Sequence, residues 1–162
     1  MAKKTIYKFN YKSAIIGLGY VGLPLFIESI KYFNTKGFDI DQRKISNLKK
    51  KNKNLKQHFT SNVKNLSDCN FFIVCVPTPI KNNHVPDLDF LRKACELVGS
   101  IMRSGSHIIF ESTVYPGCTE EFCLPILEKK SKLRCNKDFY LGYSPERINP
   151  GDKKHNITNI TK

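Results

Sequence analysis

Ser13-Ala14-Ile15-Ile16-Gly17-Leu18-Gly19-Tyr20-Val21-Gly22-Leu23-Pro24 is the stretch that decides how this 162-residue chain folds. Its opening is a short apolar run closed by glycine, the pattern of a buried strand. Gly17, Gly19 and Gly22 then fall at the spacing G-x-G-x-x-G, and a helical stretch follows from about Tyr20 to Phe33. Pro24 is tolerated there because an N–H in the first turn has no intrahelical partner to lose. Strand, glycine turn and helix in this order make a phosphate cradle. The first glycine permits a tight turn, the second lets an anion approach the backbone, and the third lets helix and strand pack closely. At Tyr20 and Val21 the helix N-terminus presents free N–H groups to that anion.

A lone G-x-G-x-x-G is weak, so its context matters. Thr35 to Ile40 reads as a second strand, and Asp39 stands near its end, 22 positions after Gly17. A carboxylate there accepts hydrogen bonds from adenosine ribose hydroxyls and repels a 2′-phosphate, which favours NAD over NADP. Asp41 is the rival for that role, but two residues on it is expected past the strand end.

The pattern continues along the chain. A basic helix is expected from about Gln42 to Lys51, a weak strand near Phe59 and a short helix near Val63 to Leu66. Phe71 to Val76 is continuous apolar, as in a strand covered on both faces, and Pro77 and Pro79 end it. Asp87 is expected to cap a helix whose stripe is Leu88, Leu91, Cys95, Val98 and Met102, stopped by Gly105. His107 to Phe110 reads as a strand, Thr119 to Lys130 as a helix and Phe139 to Tyr143 as a final strand. Glu120 and Glu121 at one end of that helix, with Lys129 and Lys130 at the other, suit its dipole. Alternating strands and helices give the fold class: α/β, a Rossmann-type doubly wound parallel sheet with helices on both faces. Residues 1–11 are an extension, 12–150 the Rossmann domain and 151–162 a polar tail.

Composition narrows the function classes. No apolar run suggests a membrane span or a signal peptide, so the expected location is cytoplasmic, with no membrane partner. The six cysteines form no C-x-x-C pair and no zinc-type cluster, so neither a metal nor a disulfide framework is expected. The formal charge is +13, and Arg43 to Lys56 holds seven basic residues and no acid. That run reads as a solvated helix face. No aromatic platform accompanies it, and nucleic acid is not expected as a partner.

Ligands of open parallel sheets lie beyond the carboxyl ends of the strands. Three loops are expected there: Val76-Pro77-Thr78-Pro79, Glu111 to Gly117, and Ser144-Pro145-Glu146-Arg147. Each joins a rigid proline to hydroxyl or carboxylate groups.

Those loops, taken with Ile16 to Pro24, resemble the N-terminal domain of the UDP-glucose/GDP-mannose dehydrogenase family. The ending Ser144 to His155 is similar to the branch that oxidises UDP-N-acetylhexosamines, such as UDP-N-acetylglucosamine, in capsule and surface-polysaccharide synthesis. The resemblance implies two successive NAD-dependent oxidations taking a sugar C6 alcohol to a carboxylate. It implies cofactor contacts from Gly17, Gly19, Tyr20, Val21, Gly22, Asp39, Lys44 (to the adenosine), Pro77, Thr78, Thr113 and Glu146. Thr113 also orients a catalytic water, Glu146 sits beside nicotinamide and substrate, and Arg147 pairs with the anion of the UDP-sugar.

Several of the family's features have no counterpart in these 162 residues. They are the nucleophilic cysteine in its Gly-rich motif, the long central helix and the C-terminal UDP-sugar domain. The segment from Lys49 to Phe59 is also shorter than the resemblance implies, which puts the third strand in question. The expectation is a cofactor-binding fragment, inactive by itself, with a complementing C-terminal polypeptide as one source of the missing half. A non-catalytic remnant or interaction module of a degraded gene is the alternative. Another Rossmann oxidoreductase, such as a hydroxyacid dehydrogenase, needs a catalytic Lys or a His–carboxylate pair that cannot be placed.

Overall fold

A computed structural model describes residues 11–80 and 85–145. Six strands, β1 (Lys12–Ile16), β2 (Asn34–Phe38), β3 (Phe59–Thr60), β4 (Phe71–Val74), β5 (Ser106–Phe110) and β6 (Phe139–Tyr143), form one sheet. All pairings are parallel, and the order is β3-β2-β1-β4-β5-β6. The order reverses between β1 and β4, which opens a crevice at their carboxyl ends. Helices α1 (Gly22–Ser29), α2 (Gln42–Lys51), α3 (Asp89–Ile101) and α4 (Leu124–Ser131) make the crossovers. Among the described residues, no helix is long and apolar enough to cross a membrane.

The core has two layers, one on each face of the sheet. On one face Ala14, Ile16, Phe72, Val74, Ile108, Phe110 and Phe139 meet Leu91, Cys95, Val98 and Leu127 from α3 and α4. On the other, Ile15 meets Phe26, Ile45, Leu48 and Phe59. The Phe26 and Phe59 ring centroids are 4.7 Å apart, which ties α1 to the outermost strand. That packing explains why the third strand survives its short approach: Phe59 is buried, and β3 pairs Gly37↔Phe59 and Phe38↔Thr60.

Other boundaries differ from expectation for local reasons. The second strand ends at Phe38, because Ile40 turns out to solvent and Asp41 already caps α2. The first helix is confined to Gly22–Ser29; Tyr32 and Phe33 lie beyond it, held by single turns back to Ser29. Asp87 is not the N-cap of α3. Leu88 holds that position without a side-chain bond, and Asp87 Oδ1 accepts the Asp89 N–H from one residue farther out. Gly105 does not stop this helix either. Met102 is extended there (ψ 156°), while Gly105 serves the next turn with φ +83° and donates its N–H to Asp138 O.

The expected single helix from Thr119 divides into a π turn, Thr119–Cys123, and α4. Pro125 has no N–H with which to close an i→i−4 bond, so the preceding turn widens and Leu124 N donates to Thr119 O. Strand β4 is buried on one face only. Phe72 and Val74 are fully enclosed, whereas Phe71 and Ile73 are half-buried. Phe71, His107 and Tyr140 form a cross-strand row on that second face, with neighbouring rings stacked.

Of the glycine contacts, that of α1 with the turn after β1 is the tightest. A Cβ on Gly22 would lie 1.9 Å from Gly17 O, whereas one on Gly19 would have no heavy atom within 4 Å. Gly22→Ala is expected to destabilise the chain by about 3 kcal/mol or more through overpacking, and Gly19→Ala by less than about 1 kcal/mol. Urea unfolding of the two variants checks this; equal losses would contradict it.

Candidate functional site

A cleft of about 630 Å³ opens at the carboxyl ends of β1, β2, β4 and β5. Gly17 forms its floor with a left-handed backbone, φ +93°. A side chain there would also put Cβ 2.9 Å from Cys75 O, so strain and contact both demand glycine. Its N–H donates to Phe38 O at 2.8 Å, joining the turn to β2. Gly19 faces open space, which makes it the place where an anionic group can come against bare backbone. Gly22 lies behind the wall and serves helix packing instead. The three glycines thus differ in their surroundings: Gly17 in a left-handed turn, Gly19 before open space and Gly22 against backbone.

Asp39 lies just past β2, with its side chain 10% exposed. Its Oδ2 accepts the Leu18 N–H at 3.0 Å and the Lys44 ammonium at 2.8 Å. Its Oδ1 accepts the Asp41 N–H at 3.0 Å. A carboxylate offers about four acceptor positions. One therefore remains on Oδ1 for a ligand hydroxyl, and Lys44 keeps two further donors. Burial pushes the carboxyl pKa up. The Lys44 hydrogen bond, the two backbone N–H groups and the Lys44 charge outweigh it, so Asp39 titrates below the ordinary 3.8.

Asp41 has a different task. Its Oδ1 accepts from Arg43 N at 2.8 Å and Lys44 N at 3.0 Å, capping α2. The cap fixes the helix whose first turn delivers Lys44 to Asp39. Both candidate acids line the cleft: Asp39 is buried in its wall, and Asp41 is exposed and also caps α2.

Opposite, the loops after β4 and β5 stand side by side. Ser112 Oγ donates to Val76 O at 2.7 Å, and Thr78 Oγ1 donates to Thr113 O. Pro77, Thr78 and Thr113 line the cleft, as do Gly17, Gly19, Tyr20, Val21, Asp39 and Lys44. Ser144 N donates to Phe110 O, so the third loop leaves β6 at the same sheet edge. Glu146 and Arg147 lie outside the described residues.

Four lining residues escaped the sequence reading: Phe90, Lys93, Ala94 and Leu97, on one side of α3. The signal was present, since positions i, i+3, i+4 and i+7 share a helix face. The stronger core stripe of the same helix concealed it. Ile40, 74% exposed, faces the cleft from the β2 end.

All six cysteines are free, and five are buried. Burial first, and neighbouring groups second, push the Cys69 and Cys118 thiols up to about 11. The Cys95 contact and burial raise Cys123 as well, and burial raises Cys135. Cys75 lines the cleft beneath the glycine turn, 7% exposed. Among the described residues, no cluster of His, Cys, Asp and Glu is suited to a metal ion.

Comparison with known proteins gives a consistent result. The UDP-glucose/GDP-mannose dehydrogenase family, NAD binding domain, matches residues 11–162. A UDP-N-acetyl-D-glucosamine 6-dehydrogenase of Salmonella typhi is 50% identical over 93% of this chain and 38% of its own length. The enzyme of that name from Pseudomonas aeruginosa is 50% identical over 94% of this chain and 39% of its own. Among solved structures, a UDP-D-ManNAc dehydrogenase from Pyrococcus horikoshii superposes with a TM-score of 0.78 at 34% identity, covering 86% of this chain and 37% of that one. The chain thus spans about two fifths of the length of the curated relatives it matches.

The lowered pKa of Asp39 gives a signed prediction. Its stabilising contribution is complete above about pH 4, the unfolded carboxylate value, and is lost as pH falls through the lower folded value. Asp39→Asn is expected to cost about 1–2 kcal/mol at neutral pH, with the difference shrinking as the medium is acidified below about pH 4. Denaturant curves of both proteins across that range check it; a pH-independent difference would contradict it.

Proposed function

Because this chain belongs to the UDP-glucose/GDP-mannose dehydrogenase family, we propose that it is the cofactor-holding part of an NAD-dependent UDP-N-acetylhexosamine 6-dehydrogenase. The observation that carries the reading is the pairing of bare backbone at Gly19 with the buried carboxylate of Asp39 in one cleft. The first accepts a pyrophosphate and the second a ribose, and a dinucleotide has both.

The residues fit that group. The pyrophosphate lies against Gly19 and the N-terminal N–H groups of α1 beside Tyr20 and Val21. The adenosine ribose donates to the remaining position on Asp39 Oδ1. The adenine ring is flanked by apolar surface from Ile40, Phe90 and Leu97. Lys44 pairs with Asp39 and holds it in place, and the carboxylate, which accepts the ribose hydroxyl, repels a 2′-phosphate. On the far side of the switch point, Pro77, Thr78 and Thr113 border the nicotinamide end.

Bound NAD supplies the hydride acceptor, and the protein supplies position and proton handling. Thr113, exposed at the cleft, holds a water there. From the motif alone, Glu146 takes the carboxylate role beside nicotinamide and substrate, and Arg147 pairs with the nucleotide-sugar's anion. We assign the aldehyde-capturing thiolate to no cysteine of this chain, since none of the six lies in a Gly-rich motif and burial raises the thiol pKa of Cys69, Cys118 and Cys135. The sugar-binding half and that thiolate are then supplied by polypeptide beyond these 162 residues, on the same chain or on another.

Isothermal titration of the chain with NAD and NADP tests the reading. Saturable binding of NAD, at least about tenfold tighter than NADP, is expected from the ribose carboxylate. Absence of NAD binding by a folded sample would replace this reading with that of a non-catalytic remnant.

A further inference from the structure

The backbone ladder between β4 and β5 ends with Glu111 N donating to Val74 O at 2.9 Å. Beyond that point the two strands give way to loops that side chains bridge. Two hydroxyls continue the ladder. Ser112 Oγ donates to Val76 O at 2.7 Å, and in the opposite direction Thr78 Oγ1 donates to Thr113 O. Ser112 is 5% exposed and does not need the solvent-facing side of the cleft to make its bond. The effect is a side-chain extension of the sheet, two rungs long, running into the wall of the cleft.

We propose that Ser112 is a positioning residue: it holds Val76–Thr78 against the β5 loop in the register that the nicotinamide half of the dinucleotide requires. The proposal rests on the reading that this cleft takes NAD. Two consequences follow from the donor directions. The Thr78 proton is committed to Thr113 O, so Thr78 Oγ1 meets a ligand only as an acceptor. The Thr113 hydroxyl makes no hydrogen bond to the described residues and remains available to the cleft. Without the Ser112 rung, Val76 O loses its donor in a half-buried setting and the Val76–Thr78 segment is released from its neighbour. The adenosine side is unaffected, because Gly19 and Asp39 belong to the β1 and β2 ends of the sheet.

The test compares NAD with ADP on the full chain, since ADP occupies only the cradle and the Asp39 side. Ser112→Ala is expected to weaken NAD about tenfold, as for one lost hydrogen bond, and to leave ADP affinity within about twofold. Thr78→Val should give the same pattern, and Thr78→Ser, which keeps the hydroxyl, should restore NAD affinity. Unchanged NAD affinity in Ser112→Ala overturns the proposal. So do equal losses for NAD and ADP, or an unfolded Ser112→Ala accompanied by normal NAD binding in Thr78→Val, because Ser112 would then be a structural residue only. Failure of the wild-type chain to bind NAD, with ADP still bound, overturns the cofactor reading itself and is seen before any variant is made.

Discussion

The close approach of α1 to the end of β1 is the constraint on which the site depends. Gly22 stands where any side chain would collide with Gly17 O, and Gly17 stands where any side chain would press on Cys75 O. Three segments, β1, α1 and the end of β4, therefore meet at backbone distance. That contact points the N-terminus of α1 at the crevice where the strand order reverses. It also leaves Gly19 as the one glycine of the three with open space before it. The proposed phosphate cradle is thus a consequence of packing, and the anion preference proposed for it rests on N–H groups the helix cannot use internally.

Electrostatics complete what packing begins. The chain carries a large positive charge, yet a buried residue of the cleft wall is an acid, Asp39, paired with Lys44. Asp41 contributes by capping α2, which brings Lys44 into reach. The two aspartates act in series: one organises a helix so that its lysine can hold the other. The opposite wall is fixed by hydroxyls that bond across the β4 and β5 loops beyond the ends of the strands.

Most of the architecture was legible in the residues because each signal was local. The glycine spacing, the apolar run at Phe71 and the stripe along α3 report directly on strand, turn and helix. The parts that were not legible depend on distant contacts. Whether Phe59 forms a strand depends on Phe26, far away in sequence. Asp87 and Gly105 carried correct chemistry at the wrong position, since the ends of α3 are set by its packing on the sheet. The division of the fourth helix follows from Pro125, a local signal that was overlooked. The second face of α3, with Phe90, Lys93 and Leu97, could not be separated from solvent-facing surface until the cleft beside it was known. Glu146 and Arg147 rest on motif alone.

The most direct measurement of the central claim is a ¹H–¹⁵N NMR titration of the chain with NAD, which reports where a ligand meets the backbone. The account predicts saturable shifts concentrated at Gly17 to Gly22, at Asp39 to Lys44 and in the loops at Val76, Thr78 and Thr113, with the outer face of α4 unmoved. Shifts confined to the basic surface of α2, or spread without saturation, would contradict it and identify the binding as nonspecific attraction between a cationic chain and an anionic nucleotide.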